Sequence, residues 1–238
     1  GNPQNLYLYS YYGLHLGDFL RTMALPFALS TAGIVACTWW LCGQSNGSCG
    51  RDDTRSLAVP MPLSRRRLAI YGALVALTLL AVFRIVPVAA AVAVVAAALA
   101  ALDRRALAAV DWGLLATFAC FFVFAGNLAR VPEVSAWLSP LMADHGLLVS
   151  AGLSQIISNV PAAVMLSGFT RNAKALLLGV NLGGLGTPIA SLASLISYQF
   201  YSKAAHSRPG KYLGIFSAVN FGMLAILLAV GWLQLRSF

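Results

Sequence analysis

From Ala175 to Phe200 the chain carries no charged side chain, yet the middle of that stretch is composed to stop a helix. Asn181-Leu-Gly-Gly-Leu-Gly-Thr-Pro-Ile-Ala-Ser191 places Gly183, Gly184 and Gly186 ahead of Thr187-Pro188. The glycines weaken the helix, and Thr followed by Pro matches an N-cap with proline at the first helical position. If the stretch lies in a membrane, such a break is tolerated only where the backbone is buried in protein or lines a watery cavity. That makes it a site candidate.

Composition places it in a membrane. The 238 residues are 59% hydrophobic and 10% charged, with a mean hydropathy of +0.78, whereas soluble domains carry about 25% charged residues. The net charge of +9 does not point to nucleic acid, because the basic residues sit mostly in short loops, as the positive-inside rule expects. Cys37, Cys42, Cys49 and Cys120 have no CxxC spacing and read as small core residues. The first residue is Gly1, with no initiator Met or signal-peptide pattern, so a piece of a longer protein is expected.

An aromatic-rich half-span, residues 1–17, opens the chain, and Phe19 to Cys42 is a full span with Pro26 expected in its first turns. Residues 44–67 form a basic loop placed on the cytoplasmic side. Leu68 to Phe83, Ile85 to Leu102 and Trp112 to Ala129 are three further spans. Glu133 to Asp144 has Val134, Trp137, Leu138 and Leu141 at helical spacing and suits the outer interface. Residues 173–200 form the broken span, and 212–235 the last one.

Between them, residues 146–168 are apolar but carry Ser150, Ser154, Gln155, Ser158, Asn159 and Pro161 through the middle. The arms Leu147–Ile157 and Ala162–Gly168 are about 10 to 17 Å long as helices, too short to span. They read as a re-entrant hairpin with its tip at Ser158-Asn159-Val160-Pro161, Asn159 serving as a cap. The alternative is one spanning helix kinked at Pro161, and loop charges barely separate the two.

An internal match favours the hairpin. Gly1-Asn-Pro-Gln-Asn lines up with Gly186-Thr-Pro-Ile-Ala, each followed by a half-span, a polar joint and a full span. With a hairpin between the copies, the number of crossings is odd and the second copy is inverted. Inverted repeats with discontinuous helices meeting at the midplane are a signature of secondary transporters. Three helix starts, at Asn2-Pro3, Asn159 to Pro161 and Thr187-Pro188, would offer unpaired N–H groups and positive dipole ends to an anion. Carbonyls around Gln155 to Ser158 and Asn181 to Gly186 could hold a sodium ion beside it. Asp18, Asp103, Asp111, Glu133 and Asp144 all fall near span ends, so a carboxylate proton relay is not visible. No mid-span carboxylate pair or HExxH occurs, which argues against an enzyme.

GNPQN, the SNVP tip and NLGGLGTPIAS followed by Tyr212-Leu-Gly-Ile-Phe resemble the citrate-transporter-like, divalent anion/sodium symporter branch of the ion transporter superfamily, which also includes arsenite permeases. The resemblance implies an all-α polytopic membrane protein with two inverted repeats, re-entrant hairpins, discontinuous helices and a homodimeric assembly. Residues 1–43 would end the first repeat, 44–67 link, and 68–238 form the second, so that function needs an upstream repeat. In the family's carboxylate carriers a Ser-Asn-Thr tip contacts substrate and sodium; here Ser158 and Asn159 match, and Val160 stands in the threonine's place. The implied substrate contacts are Ser158, Asn159, Val160, Thr187, Pro188, Asn2 and Pro3. The implied cation contacts are Gly1, Gln155, Ser158, Asn159 and Gly186.

The expected function is secondary active transport of a small, carboxylate-like anion, coupled to sodium or protons, in a bacterial inner membrane. No catalytic residue, nucleic-acid partner, cofactor or metal beyond a sodium ion is expected. An antiporter or arsenite-type efflux permease on the same fold is the alternative, and a non-transporting membrane scaffold a further one.

Overall fold

A computed structural model describes residues 3–44, 64–203 and 207–237, with the side chains of 40–44 and 114 outside the description. Among the described residues every regular element is helical. The chain is an all-α polytopic membrane protein. It divides into two compact units, Gly1–Gln44 with Ala116–Phe238, and Ser45–Leu115.

In the larger unit, α1 (Pro3–Tyr11) and α2 (Leu16–Gln44) are separated by a turn in which Gly13 takes φ +62°. Pro26 therefore lies well inside α2 and not in its first turn, because the helix begins earlier than Phe19. The chain closes with α10 (Leu192–Ser202) and α11 (Pro209–Arg236). Both ends of the chain thus show a short helix, a joint and a helix of 28 or 29 residues. By length and hydropathy Leu16–Trp39 and Pro209–Arg236 are each sufficient to cross a bilayer. They pack on each other, and Gln234 Nε2 donates to the Thr22 carbonyl at 3.0 Å.

Between these pairs lies the core. α6 (Trp112–Leu128) is followed, after a 97° bend, by α7 (Pro132–Ile157). α7 is itself kinked at His145, whose φ −129°, ψ 26° is not helical. Of the residues at helical spacing before the kink, Leu138 is buried, Val134 and Leu141 pack against it, and Trp137 points outward at 70% exposure. After the kink α7 turns back through Ser158 into α8 (Asn159–Ser167), then α9 (Ala173–Leu182). The Ser158 break makes a helical hairpin, and α7, α8 and α9 pack mutually with α1 laid against α8 and α9. Leu8, Met142, Ala162, Ala163, Leu166, Leu176 and Leu177 form its centre.

Among lipid tails, apolar contact alone gives helices little reason to associate, so small residues and hydrogen bonds matter more. Gly179 on α9 and Gly183, the helix's C-cap one turn on, meet α7. A Cβ on Gly183 would sit 2.7 Å from Ala151 Cα, and one on Gly179 would collide with the Ser150 hydroxyl. Backbone-to-backbone approach of this kind is available only to glycine.

In the smaller unit α3 (Arg65–Val82) packs on α4 (Val88–Leu102), which leads into the short α5 (Arg104–Ala108). At 18 and 15 residues α3 and α4 reach about 27 and 22 Å, less than the roughly 30 Å of a bilayer core. Tyr71 Oη donates to Asp103 Oδ2 at 2.7 Å, and Asp103 also caps α5 through Ala106 N. These hydrogen bonds, the tyrosine's first, hold the Asp103 carboxyl below its ordinary range. Most of the 44–67 loop lies outside the described residues, as do Cys49 and the side chain of Cys42; Cys37 and Cys120 are free thiols.

Candidate functional site

The site grows out of the two breaks. At the first, Ser158 adopts φ +73°, ψ 155°, a region almost reserved for glycine. This lets α7 end and α8 begin without a linking loop. Asn159, expected as the cap, is instead the first residue of α8, and the second arm starts there and not at Ala162. Pro161 does no harm at the third helical position, because first-turn N–H groups have no intrahelical partner to lose. The first backbone bond of α8 runs from Ala162 N to Ser158 O, which leaves the N–H groups of Asn159 and Val160 as the free donors of its first turn.

At the second break, α9 stops at Leu182 and Gly186 takes φ +105°. Thr187 is extended, and Pro188 opens only a three-residue 3-10 turn, Pro188–Ala190. The Thr-Pro pair therefore does not start the long helix, as the sequence pattern expects. α10 begins after an extended Ser191. The reason is tertiary. The Thr187 hydroxyl, which would cap the turn, donates to the Gln155 carbonyl at 2.9 Å, and its N–H donates to Gln155 Oε1 at 2.9 Å.

Gln155 is the hub of this arrangement. Besides accepting from Thr187 twice, it directs Nε2 at the carbonyls of Gly183 (2.7 Å) and Leu185 (2.9 Å), with Ala151 O at 3.2 Å. The break in the second helix is thus pinned to α7 by one carboxamide. Of the carbonyls expected to await a cation, those of Gly183 and Leu185 are here taken up by amide hydrogens and that of Gln155 by the Thr187 hydroxyl, and the Thr187 N–H expected to be free for an anion is also bonded. Gln155 acts as a clamp.

Three strands of geometry bring the hairpin tip, the second break and α1 to one end of the core. A Cβ on Gly184 would lie 2.9 Å from Asn159 Nδ2, so tip and break touch. Asn181 Nδ2 donates to Asn5 Oδ1 on α1 at 2.7 Å and to Leu177 O at 2.7 Å. At the opposite end, Tyr7 Oη is hydrogen-bonded to Ser167 Oγ at 2.7 Å, and Tyr12 Oη donates to Thr170 O at 2.8 Å. α1 therefore runs parallel to α8 with the two N-termini at the same level. Ser158 Oγ reaches Ala190 O at 3.4 Å, a weak link to the 3-10 turn. Asn159 is 3% exposed and its side chain has no hydrogen-bond partner among the described residues.

Of the expected contacts, Ser158, Asn159, Val160, Gln155, Gly186, Thr187 and Pro188 belong to these two adjoining breaks, and Pro3 is the first residue of α1. Gly1 and Asn2 lie outside the described residues. The Asn5–Asn181 bridge was not singled out beforehand. Asparagines inside apolar segments were its only signal, since polar groups at membrane depth need partners. What assembles is a cluster of neutral carboxamides with two helix starts, able to hold a small anion by hydrogen bonds and dipoles without fixed positive charge.

Comparison with known proteins agrees with this architecture. The family model described as citrate transporter (CitMHS) matches residues 1–175. Inner membrane protein YbiR of Escherichia coli is 31% identical over 83% of this chain and 52% of its own length. The uncharacterized transporter MJ0456 of Methanocaldococcus jannaschii is 31% identical over 96% of this chain and 60% of its own. The chain thus spans between about half and three-fifths of the length of these relatives. No solved structure matches. A match across residues 1–175, reaching from α1 through the hairpin into α9, means that the chain belongs to the citrate transporter family.

Proposed function

We propose that this chain forms the hairpin-bearing part of a secondary active transporter for a small, carboxylate-like anion, with Asn159 and the first-turn N–H groups of α8 as the anion's principal contacts. The observation that carries the proposal is Asn159 itself, a residue only 3% exposed whose carboxamide has no hydrogen-bond partner among the described residues, at a helix start that touches a second helix break. Buried polar groups are seldom left unpaired without a purpose. Family membership supports the transport role and makes citrate the first anion to test. Weak dipoles of about 0.3–1 kcal/mol each suit a ligand that must also leave.

In the same proposal a sodium or proton gradient drives the cycle, and the cation contacts are Gly1, Gln155, Ser158, Asn159 and Gly186. For Gln155 this requires its carboxamide to release the Gly183 and Leu185 carbonyls, which it now holds. The transporter works as a homodimer in a bacterial inner membrane, with the 44–67 loop on the cytoplasmic side and the missing length of its relatives supplying the opposed repeat.

The test is Asn159→Ala in the full-length protein, reconstituted in liposomes. Uptake of labelled citrate and of other carboxylates should fall about 10- to 100-fold, the loss expected for a hydrogen bond to a charged group. Expression and detergent monodispersity should persist. Undiminished uptake rejects the site.

A further inference from the structure

Among the described residues Gln4 is the most anomalous side chain. It is fully buried, and neither Nε2 nor Oε1 has a hydrogen-bond partner among the described residues. Its neighbours on α1 are well provided for. Asn5 is held by Asn181, Tyr7 by Ser167, and Leu8 sits in the apolar centre with Ala162, Ala163 and Leu166 of α8. Gln4 lies one turn before Leu8 on the same buried face of α1. Because α1 and α8 run parallel, one turn back from Leu8 is the level of α8's first turn, where Asn159 also lacks a partner and two backbone N–H groups are free.

An unpaired amide differs from a free N–H in what it can recognise. It presents a donor and an acceptor side by side and carries no charge. A carboxylate satisfies only the donor and is repelled by the acceptor. A hydroxyl satisfies both, taking a hydrogen bond from Nε2 and giving its own proton to Oε1. We propose that Gln4 is a specificity-determining residue of the anion site, its carboxamide pairing with an uncharged hydroxyl of the bound anion while α8 and Asn159 hold the negative charge. The assignment rests on the proposed anion site and adds selectivity to it. Sites built to hydrogen-bond a hydroxyl discriminate against analogues that lack it, because the protein's own polar groups are then left unpaired.

The experiment uses the full-length protein in detergent and compares it with Gln4→Met, which keeps the side chain's length and removes both polar atoms. Affinities are measured for two anion pairs that differ by one hydroxyl, malate against succinate and citrate against tricarballylate. In the native protein the hydroxylated member of a pair should bind more tightly. In Gln4→Met that member should lose about tenfold while its partner changes less than about twofold. Native binding with an unchanged ratio in Gln4→Met overturns the Gln4 assignment and leaves the anion site standing. Failure of the native protein to bind any of the four anions rejects the anion site, and this assignment with it. Ligand-free melting provides an independent arm. An amide awaiting a ligand predicts that Gln4→Met melts at or above the native temperature. A lower melting temperature means that Gln4 already has a structural partner, a water or another part of the protein, and overturns the assignment.

Discussion

The two arms of the broken helix, α9 and α10, have nearly the same length and opposite surroundings. In α9, Ala175 to Val180 and Leu182 are buried among α7, α8, α1 and α11. In α10 no residue is buried, and Leu192, Ile196 and Phe200 face outward. One arm is part of the scaffold that carries the hairpin. The other is attached through the 3-10 turn and α11, with its apolar side chains left for lipid or for further protein. The break between them is consequently held from one side. Gln155 fastens Gly183, Leu185 and Thr187 to α7, and among the described residues past Thr187 the one side-chain hydrogen bond to the hairpin is the long Ser158–Ala190 contact. Local stability follows buried contact and satisfied hydrogen bonds, so the anchored arm should resist disturbance and the other should tolerate it.

The largest test of this asymmetry is a matched pair of substitutions. Gly179→Leu drives a side chain into Ser150 and the Leu147 backbone, and should cost about 3 kcal/mol, at the upper end for overpacking. Ala193→Leu on exposed α10 should change stability by about 0.5 kcal/mol or less. Thermal unfolding in detergent reads both, and comparable losses would mean that α10 is as tightly held as α9. Next in size is Gln155→Leu. It strands two carbonyls and the Thr187 N–H, for an expected loss of about 2–3 kcal/mol. Its signature should be local. Amide exchange at Thr187 and the turn after it should speed at least tenfold, with Leu176 to Val180 unchanged. If α9 loosens equally, the clamp is part of the core and the two arms are not independent.

How much of this was visible beforehand depends on whether a residue's role was set locally. The hairpin break was legible because a run of polar residues and Pro161 interrupts an apolar segment, and the second break because three glycines precede Thr187-Pro188. Their details were not. Ser158 and Asn159 suit a cap about equally, and the chain turns at Ser158 in a strained backbone that no propensity favours. Thr187-Pro188 has the pattern of a helix start, yet its hydroxyl and N–H are claimed by Gln155, 32 residues away in sequence. Gln155 is legible in the sequence as a polar residue in an apolar stretch and, by resemblance, as a cation contact, and only its partners reveal a clamp. Gln4 stands inside the Gly1-Asn-Pro-Gln-Asn motif, but burial without a partner is a property of the packed structure alone.

The smallest effect has the clearest sign. Ser158 holds φ +73°, ψ 155°, at a strain of roughly 1–3 kcal/mol. Glycine removes the strain but loses more chain entropy on folding, about 0.5–1 kcal/mol. Ser158→Gly should therefore stabilise the protein by about 1 kcal/mol, and Ser158→Ala, which keeps the strain and loses only the 3.4 Å contact to Ala190, should not. The gain should appear in the α7–α8 hairpin, measured by amide exchange, and not in α10. A Ser158→Gly variant that is no more stable than Ser158→Ala would mean that the turn is relaxed, and that the hairpin tip owes its geometry to the surrounding helices instead of opposing its own backbone preference. A gain without a fall in anion affinity would separate the strain from recognition, leaving Asn159 and the α8 N–H groups as the part of the tip that meets the ligand.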